Sequence, residues 1–286
     1  MTHRRRRSAL YMPGNNARAI EKARGLDTDA VILDLEDAVA PAAKDAARQQ
    51  VCDAVRAGGF GSREVVIRVN ALDTPWGLDD LAAAAAAGPD AVLLPKVQRP
   101  ADILAATRQL DAAGASPALR LWAMMETPRA MLEALPIADA AQQPGARLAV
   151  LVMGLNDLAK ELRTRVTPDR AALLPWVATC LAAARANGLA ILDGVFNAVN
   201  APEAFRAECQ QGRDLGLDGK TLIHPSQVAP CNAVFAPTAE ELDWARAVVA
   251  AFADPAQAAA GVLQLDGRMV ERLHLEMAER ILGLEG

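Results

Sequence analysis

The chain has 286 residues, of which 52% are hydrophobic and 23% are charged, and its formal net charge is −5. A mildly acidic balance argues against a general nucleic-acid surface, and no apolar run approaches the roughly 20 residues that span a bilayer. Because Cys52, Cys180, Cys209 and Cys231 show no paired spacing, we expect reduced, packed thiols in a cytoplasmic protein.

Short apolar segments alternate with helical segments over residues 1–236. We predict strands at residues 8–12, 30–35, 64–69, 91–94, 120–125, 148–153, 190–193 and 220–225. The predicted helices cover 16–24, 41–56, 78–87, 101–113, 129–135, 169–187 and 202–215, and a last one begins at 226. Eight strand-then-helix units predict a closed (β/α)8 TIM barrel. An open doubly wound sheet is the alternative, but no strand is followed by a glycine-rich dinucleotide motif.

Residues 237–286 are predicted to form a C-terminal helical extension, or lid, outside the barrel. Thr238 and Glu241 have the spacing of a capping box, which predicts a helix start. An alanine-rich linker at 254–260 and a terminal helix that ends near Leu284 follow. This segment is too small to bury a core alone, so we expect it to pack on its own barrel or on a neighbouring subunit.

Two carboxylates follow successive predicted strands at the point where each strand ends. Glu126 follows the fifth strand, and Asp157 lies just past the sixth. Since the carboxyl ends of parallel strands meet at one face of a barrel, these like charges need a cation to offset their repulsion. The pattern predicts a site for a hard divalent metal; capping of the helices that follow is the alternative.

Three further polar positions lie at the same predicted face. Arg68 lies in the apolar third strand, where an unpaired guanidinium would be costly to bury. We expect it to stabilise negative charge on a substrate, with an ion pair to Glu36 or Asp37 as the alternative. Lys96 is predicted to pair with carboxylates at the barrel mouth rather than to form a Schiff base. His224 is predicted to cap a helix, with a general base as the alternative.

Several motifs, in order along nearly the whole chain, resemble the citrate lyase beta-subunit family, within the group of metal-dependent lyases that includes malyl-CoA and citramalyl-CoA lyases. They are Ser8-Ala9-Leu10-Tyr11-Met12-Pro13-Gly14-Asn15, Leu33-Asp34-Leu35-Glu36-Asp37-Ala38-Val39, Ile67-Arg68-Val69-Asn70, Leu94-Pro95-Lys96, Met125-Glu126-Thr127-Pro128 and Ile223-His224-Pro225-Ser226-Gln227.

The resemblance implies a Mg²⁺-dependent barrel enzyme that makes or breaks a carbon–carbon bond between an acyl thioester and a 2-oxo acid. By resemblance, Glu126 and Asp157 are the metal ligands, and Arg68 faces the oxo acid and the enolate oxygen. Glu36 and Asp37 are expected beside the metal, in contact with its waters. The family also implies a homo-oligomer, a trimer or a pair of trimers.

Candidate contacts for coenzyme A lie near two strand ends. Arg7, Arg18 and Lys22 are expected at the first strand-to-helix turn, since cations beside a helix N-terminus suit a diphosphate; a solvated surface is the alternative for each. Pro95 and Lys96, after the fourth strand, are also expected to contact the substrate or coenzyme A.

The terminal segment departs from the family pattern. Relatives that act on free coenzyme A thioesters carry Gly-x-Met-[Val/Ile]-Asp, which supplies an acid or base to the site of an adjacent subunit. Here the segment is Gly267-Arg268-Met269-Val270-Glu271, with glutamate in place of aspartate, and Asp266 is a nearby alternative. The longer side chain keeps the proton chemistry but moves the carboxylate. The alternative is a Glu271 in solvent on a tail packed on its own subunit.

We therefore predict a lyase that cleaves a 3-hydroxyacyl-CoA to acetyl-CoA and a 2-oxo acid, with citramalyl-CoA, which yields pyruvate, ahead of malyl-CoA, which yields glyoxylate. Three alternatives remain: a citrate lyase beta subunit acting on a citryl thioester, a malyl-CoA thioesterase, and a non-catalytic subunit that binds metal and oxo acid.

Overall fold

The computed structural model describes residues 4–254, 261–265 and 267–284, and its centre is a closed barrel of parallel strands in sequence order. Because β1 pairs with both β2 and β8, the ring is complete and the predicted fold class is confirmed. The strands are β1 (Ser8–Pro13), β2 (Ala30–Asp34), β3 (Glu64–Arg68), β4 (Ala91–Leu94), β5 (Arg120–Met125), β6 (Leu148–Met153), β7 (Ala190–Asp193) and β8 (Gly219–Leu222).

Helices follow the strands and surround the barrel. They are α1 (Ala17–Ala23), α2 (Lys44–Ala57), α3 (Gly77–Ala87), α4 (Pro100–Ala112), α5 (Pro128–Leu132), α6 (Ala134–Asp139), α7 (Leu155–Leu162), α8 (Leu174–Ala186), α9 (Pro202–Leu215) and α10 (Val228–Phe235). His224 caps the turn before α10, where its Nδ1 accepts the Ser226 N–H at 3.2 Å, as predicted. Across the described residues, no helix combines the length and apolar character needed to cross a membrane.

Alternate strand residues point into the barrel and fill it with apolar side chains. Arg6 lies at the amino-terminal end, where its Nε pairs with Glu64 at 2.6 Å. Its guanidinium also lies over the Trp122 ring, 5.5 Å from the ring centroid. The buried interior includes Ala9, Ile32, Val66, Leu93, Trp122, Val150, Val152 and Leu192.

Two predicted helices differ from the observed ones because proline and backbone geometry interrupt them. The helix expected at 129–135 is two short helices, α5 and α6, since Pro136 lacks the N–H that would continue α5. The helix expected at 169–187 begins only at Leu174. Arg170 has a left-handed φ of 54° in the preceding turn, and a separate helix, α7, follows β6 before that turn.

The chain divides into two compact units, Arg6–Val234 and the described parts of Met1–Arg5 and Phe235–Gly286. The second unit contains α11 (Ala239–Ala253), β9 (Val262–Leu265), β10 (Arg268–Glu271) and α12 (Arg272–Leu282). Thr238 caps α11 as predicted, with its Oγ1 accepting the Glu241 N–H at 3.1 Å. The antiparallel β9–β10 hairpin, which turns at Gly267 with φ 78°, was not predicted.

The second unit has its own small core, formed by Ala245, Val248, Phe252, Val270 and Ala278. Ile281 and Leu282 of α12 pack against this core. In contrast, the exposed fractions of Met269, Leu273 and Met277 are 66%, 51% and 45%. Part of the apolar surface of α12 is therefore buried within its own unit, and part is left exposed.

Candidate active site

Arg68, the last residue of β3, is held by carboxylates from the end of β2. The parallel register places Asp34 opposite Arg68, and the carboxylate accepts Nε and Nη2 at 2.7 Å each. Nη1 lies 2.8 Å from Glu36 Oε2 and 3.5 Å from Asp37 Oδ2. Burial would lower the pKa of Arg68, but these carboxylates hold it well above its usual range. Ion pairing with Glu36 and Asp37 was predicted; Asp34, the bidentate partner, was missed.

Tyr11 lies on the other side of Arg68. Its ring stacks on the guanidinium, with Cζ 4.7 Å from the ring centroid. Its O–H points to Met124 Sδ at 3.5 Å. Removal from water raises the pKa of Tyr11, so the phenol stays protonated at neutral pH. The sequence showed Tyr11 only as a strand residue, although β1 alternation places it inside the barrel.

The loop after β2 is held by buried hydrogen-bond donors. Lys44, the first residue of α2, donates its ammonium to the carbonyls of Leu35 at 2.7 Å and Glu36 at 2.6 Å. Asn70 Nδ2 donates to the same Leu35 carbonyl at 3.0 Å. These contacts fix the backbone that carries Glu36 and Asp37 beside Arg68.

Glu36 is a strongly perturbed carboxyl. Burial raises its pKa to about 8; Arg68 opposes the rise, while Asp37 and Glu126 add to it. Although Oε2 is close to Arg68, it receives no well-directed hydrogen bond from the described residues. A buried oxygen of this kind is suited to accept from a bound water or cation.

Glu126 and Asp157 share one cation, the ammonium of Lys96. Nζ of Lys96 contacts Asp157 Oδ2 and lies 3.5 Å from Glu126 Oε1. The backbone N–H of Lys96 also donates to Glu126 Oε1 at 2.7 Å. Burial raises the pKa of Glu126, and Lys96 opposes that rise. The predicted pairing of Lys96 with mouth carboxylates is confirmed.

These side chains surround a cavity of about 390 Å³ at the carboxyl ends of the strands. Charged groups line one side of it, among them Arg68, Glu126 and Asp157. The remaining wall is mostly apolar, which suits a small acid with a carbon skeleton. That wall includes Pro13, Ala38, Met124, Met153, Leu155, Val195 and Ile223.

The other residues expected at the site occupy different places. Arg7 precedes β1, so it lies at the amino-terminal end of the barrel, and its Nε and Nη2 pair with Asp29 at 2.9 Å. Its predicted role at the first strand-to-helix turn is therefore wrong, because the residue is one strand length away. Arg18 and Lys22 are exposed on α1, after the carboxyl end of β1, and Pro95 is buried beside Lys96.

Three residues remain: the two candidates of the terminal segment, and Asp193 after the seventh strand. Glu271 ends β10 in the second unit, where its N–H donates to His274 Nδ1 at 2.9 Å; its catalytic role stays a prediction. Asp266 lies outside the described residues. Asp193, at the end of β7, is fully buried between Arg170 at 2.8 Å and Lys220 at 2.9 Å, so it stabilises the barrel rather than lining the cavity.

Comparison with known proteins identifies the family behind this geometry. Residues 7–225 match the HpcH/HpaI aldolase/citrate lyase family. The chain belongs to this family. Its relatives include a (3S)-malyl-CoA thioesterase of Cereibacter sphaeroides, 50% identical over 96% of this chain and 93% of the relative. They also include citrate lyase subunit beta of Escherichia coli, 36% identical over 98% and 93%.

A solved member of similar structure is the CitE protein of Mycobacterium tuberculosis in complex with magnesium, acetoacetate and coenzyme A. It is 30% identical and superposes with a TM-score of 0.76 over 96% of each chain. The resemblance to the citrate lyase beta-subunit family is thereby confirmed.

The family's magnesium fits the residues present here. Glu126 and Asp157 already surround a cation, and a Cβ at Gly154 would lie 2.6 Å from Glu126 Oε2, so glycine leaves room at the carboxylate. Among the described residues, no three His, Cys, Asp or Glu side chains form a metal cluster. Two carboxylates suffice for Mg²⁺, which keeps several water ligands in such sites.

Proposed function

We propose that this protein is a Mg²⁺-dependent enzyme that acts on a malyl-type thioester of coenzyme A, and that it hydrolyses the thioester to malate and free coenzyme A. The similarity to the (3S)-malyl-CoA thioesterase carries the proposal, because it extends over 96% of the chain at 50% identity. The sequence alone placed carbon–carbon cleavage of citramalyl-CoA first and thioesterase activity among the alternatives. The comparison reverses that order.

Carbon–carbon cleavage remains the second candidate. Similarity to citrate lyase subunit beta and a guanidinium fixed beside a carboxylate pair both favour it. In that reaction the bond to the hydroxyl-bearing carbon breaks and a thioester enolate forms. In hydrolysis, water adds to the acyl carbon, the carbon–sulfur bond breaks, and the thiolate takes up a proton. Both reactions build negative charge on the thioester carbonyl oxygen.

In either reaction Glu126 and Asp157 would hold Mg²⁺, which supplies a Lewis acid for the substrate's carboxylate and hydroxyl or carbonyl oxygens. Arg68 provides a fixed positive charge next to these oxygens, since Asp34 prevents it from turning away. Glu36 and Asp37 would orient water beside a bound ion. The apolar wall excludes bulk water from the reacting carbon.

The remaining roles concern the coenzyme and the assembly. We assign Arg18 and Lys22, exposed on α1, and Lys96 to the phosphates and thioester arm of coenzyme A. We assign Glu271 to acid or base chemistry at the site of a neighbouring subunit in a homo-oligomer. The exposed side chains of Met269, Leu273 and Met277 support that assembly, because they are large apolar groups left in solvent on the second unit.

Product analysis tests the proposed function. Purified protein with Mg²⁺ and (3S)-malyl-CoA is expected to release malate and free thiol in equal amounts, without glyoxylate. The thiol is measured with a chromogenic reagent and glyoxylate as its phenylhydrazone. EDTA and Asp157→Asn should each remove the activity. Acetyl-CoA plus glyoxylate would instead establish the lyase, and no turnover of malyl-, citramalyl- or citryl-CoA would refute both.

A further inference from the structure

The hydrogen-bond donors of the cavity are unequally engaged. Arg68 has five N–H groups, and those on Nε, Nη1 and Nη2 already face the carboxylates of Asp34, Glu36 and Asp37. Lys96 directs both its ammonium and its backbone N–H to the metal-site carboxylates. Three of the five Arg68 N–H groups, and both the ammonium and the N–H of Lys96, are therefore directed at carboxylates rather than at a ligand in this arrangement.

Of the four neutral polar residues that line the cavity, three donate to an oxygen acceptor and one does not. Asn156 and Asn197 bond to each other, with contacts of 2.8 and 3.2 Å, and Thr221 Oγ1 donates to the Asp193 carbonyl at 3.0 Å. Tyr11 differs, because within the described chain its O–H meets only a thioether, Met124 Sδ at 3.5 Å. A thioether is a weak acceptor, so the phenol can exchange it for a stronger one at little cost.

The position of Tyr11 suits contact with a substrate. Its side chain packs on the barrel interior and lines the cavity, and its ring is fixed under the Arg68 guanidinium, 4.7 Å from centroid to Cζ. A side chain held by stacking has few rotamers to lose when a ligand binds. The phenol is thus a preorganised donor next to a fixed positive charge.

We propose that the Tyr11 hydroxyl is a catalytic hydrogen-bond donor to the thioester carbonyl oxygen, leaving Met124 when substrate binds. This inference rests on the proposed function in its broad form, turnover of a malyl-type thioester. The bond strengthens as the oxygen becomes an oxyanion in hydrolysis or an enolate in cleavage, so it acts mainly on the transition state. Arg68 contributes charge, and Tyr11 contributes a directed bond from a donor that has no strong acceptor of its own.

Tyr11→Phe isolates the hydroxyl, because phenylalanine keeps the ring that stacks on Arg68. We expect kcat to fall roughly 10- to 100-fold, up to the loss seen when one oxyanion donor is removed, while KM changes much less. Tyr11→Leu, which also removes the stacking on Arg68, should lower kcat further. Thr107→Val is the matched control, because it deletes a buried hydroxyl on α4 that donates to Ile103 at 3.0 Å and is not part of the cavity lining; kcat should be unchanged. A Tyr11→Phe enzyme with wild-type kcat would overturn the proposal.

A second measurement separates this inference from the proposed function. Tyr11 is the chain's sole tyrosine, so 3-fluorotyrosine labels this position alone. With Mg²⁺ present, the ¹⁹F resonance should shift when acetyl-CoA is added and shift less with free coenzyme A, which lacks the carbonyl. If no thioester is turned over but acetyl-CoA alone moves the resonance, the proposed function fails and the Tyr11 contact stands. Identical spectra with the two ligands would refute the contact, whatever the activity.

Discussion

At the scale of single residues, Lys96 has an unusual backbone. It has a φ of 53°, in the left-handed region that non-glycine residues rarely adopt. This conformation directs the N–H and the ammonium of one residue to the same carboxylate, Glu126, with Asp157 on the ammonium as well. Local backbone strain is kept where the surrounding structure requires it, and here it places a cation between the two proposed metal ligands. A bound Mg²⁺ would have to displace this ammonium.

Lys96→Met should therefore bind Mg²⁺ roughly tenfold more tightly, because the metal no longer competes with a bound cation for the same oxygens. Without metal the variant should be less stable than wild type, since the Glu126 and Asp157 charges then repel each other. Titration calorimetry gives the affinity, and the Tm in EDTA gives the stability.

Two variants serve as references for that measurement. Lys22→Met removes the same charge from an exposed position on α1, and its Mg²⁺ affinity should stay close to wild type. Glu126→Gln should lose Mg²⁺ binding. Weaker binding by Lys96→Met would mean that Lys96 orders the ligands rather than competing with the metal.

At the scale of elements, the start of α2 supports the loop that carries the acidic partners of Arg68. Lys44 is only 5% exposed, and its ammonium is the donor for the Leu35 and Glu36 carbonyls. Lys44 lies nine residues after Leu35 and eight residues after Glu36, so a residue close in sequence satisfies both carbonyls. A change at the helix start thus reaches the Arg68 guanidinium through the loop backbone.

Lys44→Met should lower both stability and kcat. Leaving the two carbonyls without this donor costs about 1–3 kcal/mol, and the displaced loop loosens Glu36 and Asp37 against Arg68, for a loss of roughly 10-fold or more in kcat. Lys44→Arg, which can still donate to both carbonyls, should recover part of each. Thermal unfolding and steady-state kinetics measure the two effects. A Tm loss with unaltered kcat would limit Lys44 to a structural role.

Elements bounded by clear local signals could be predicted from the sequence to the residue. The strand at 91–94, the strand at 190–193 and the helix at 202–215 agree with β4, β7 and α9. Short apolar runs flanked by Gly, Pro or Asp leave little choice of boundary. The sequence did not predict α7 or the β9–β10 hairpin, which lack such signals. A single residue separates the end of β6 from the start of α7, and the hairpin depends on packing against α11.

The site was predictable in its chemistry but not in its pairing. Glu126, Asp157, Arg68 and Lys96 stood out because charged groups at the ends of apolar strands need partners. Which partner each one takes depends on register and on the direction of a side chain, and a linear sequence shows neither. For this reason the sequence did not predict Asp34 as the partner of Arg68. Arg7 was assigned to the wrong end of the barrel because it neighbours β1 in sequence.

At the scale of the whole molecule, the exposed face of the second unit bears on assembly. Met269, Leu273 and Met277 remain exposed although α12 already packs on a core within its own unit. Leu273 and Met277, four residues apart, share one face of α12, and Met269 lies just before them on β10. Exposed apolar side chains next to Glu271 are suited to cover a cavity on another copy of the chain, and the proposed homo-oligomer gives them one.

Mixing two inactive variants tests whether Glu271 acts on a neighbour. Arg68→Ala and Glu271→Ala proteins should each be inactive, yet after subunit exchange their mixture should recover a fraction of wild-type activity, because some sites then combine an intact Arg68 with an intact Glu271 from a different chain. Exchange is verified by differently tagged subunits that co-purify. As a control, Arg68→Ala mixed with Asp157→Ala should stay inactive, since both residues belong to one barrel. If the Arg68→Ala and Glu271→Ala pair exchanges but stays equally inactive, Glu271 does not complete a partner's site.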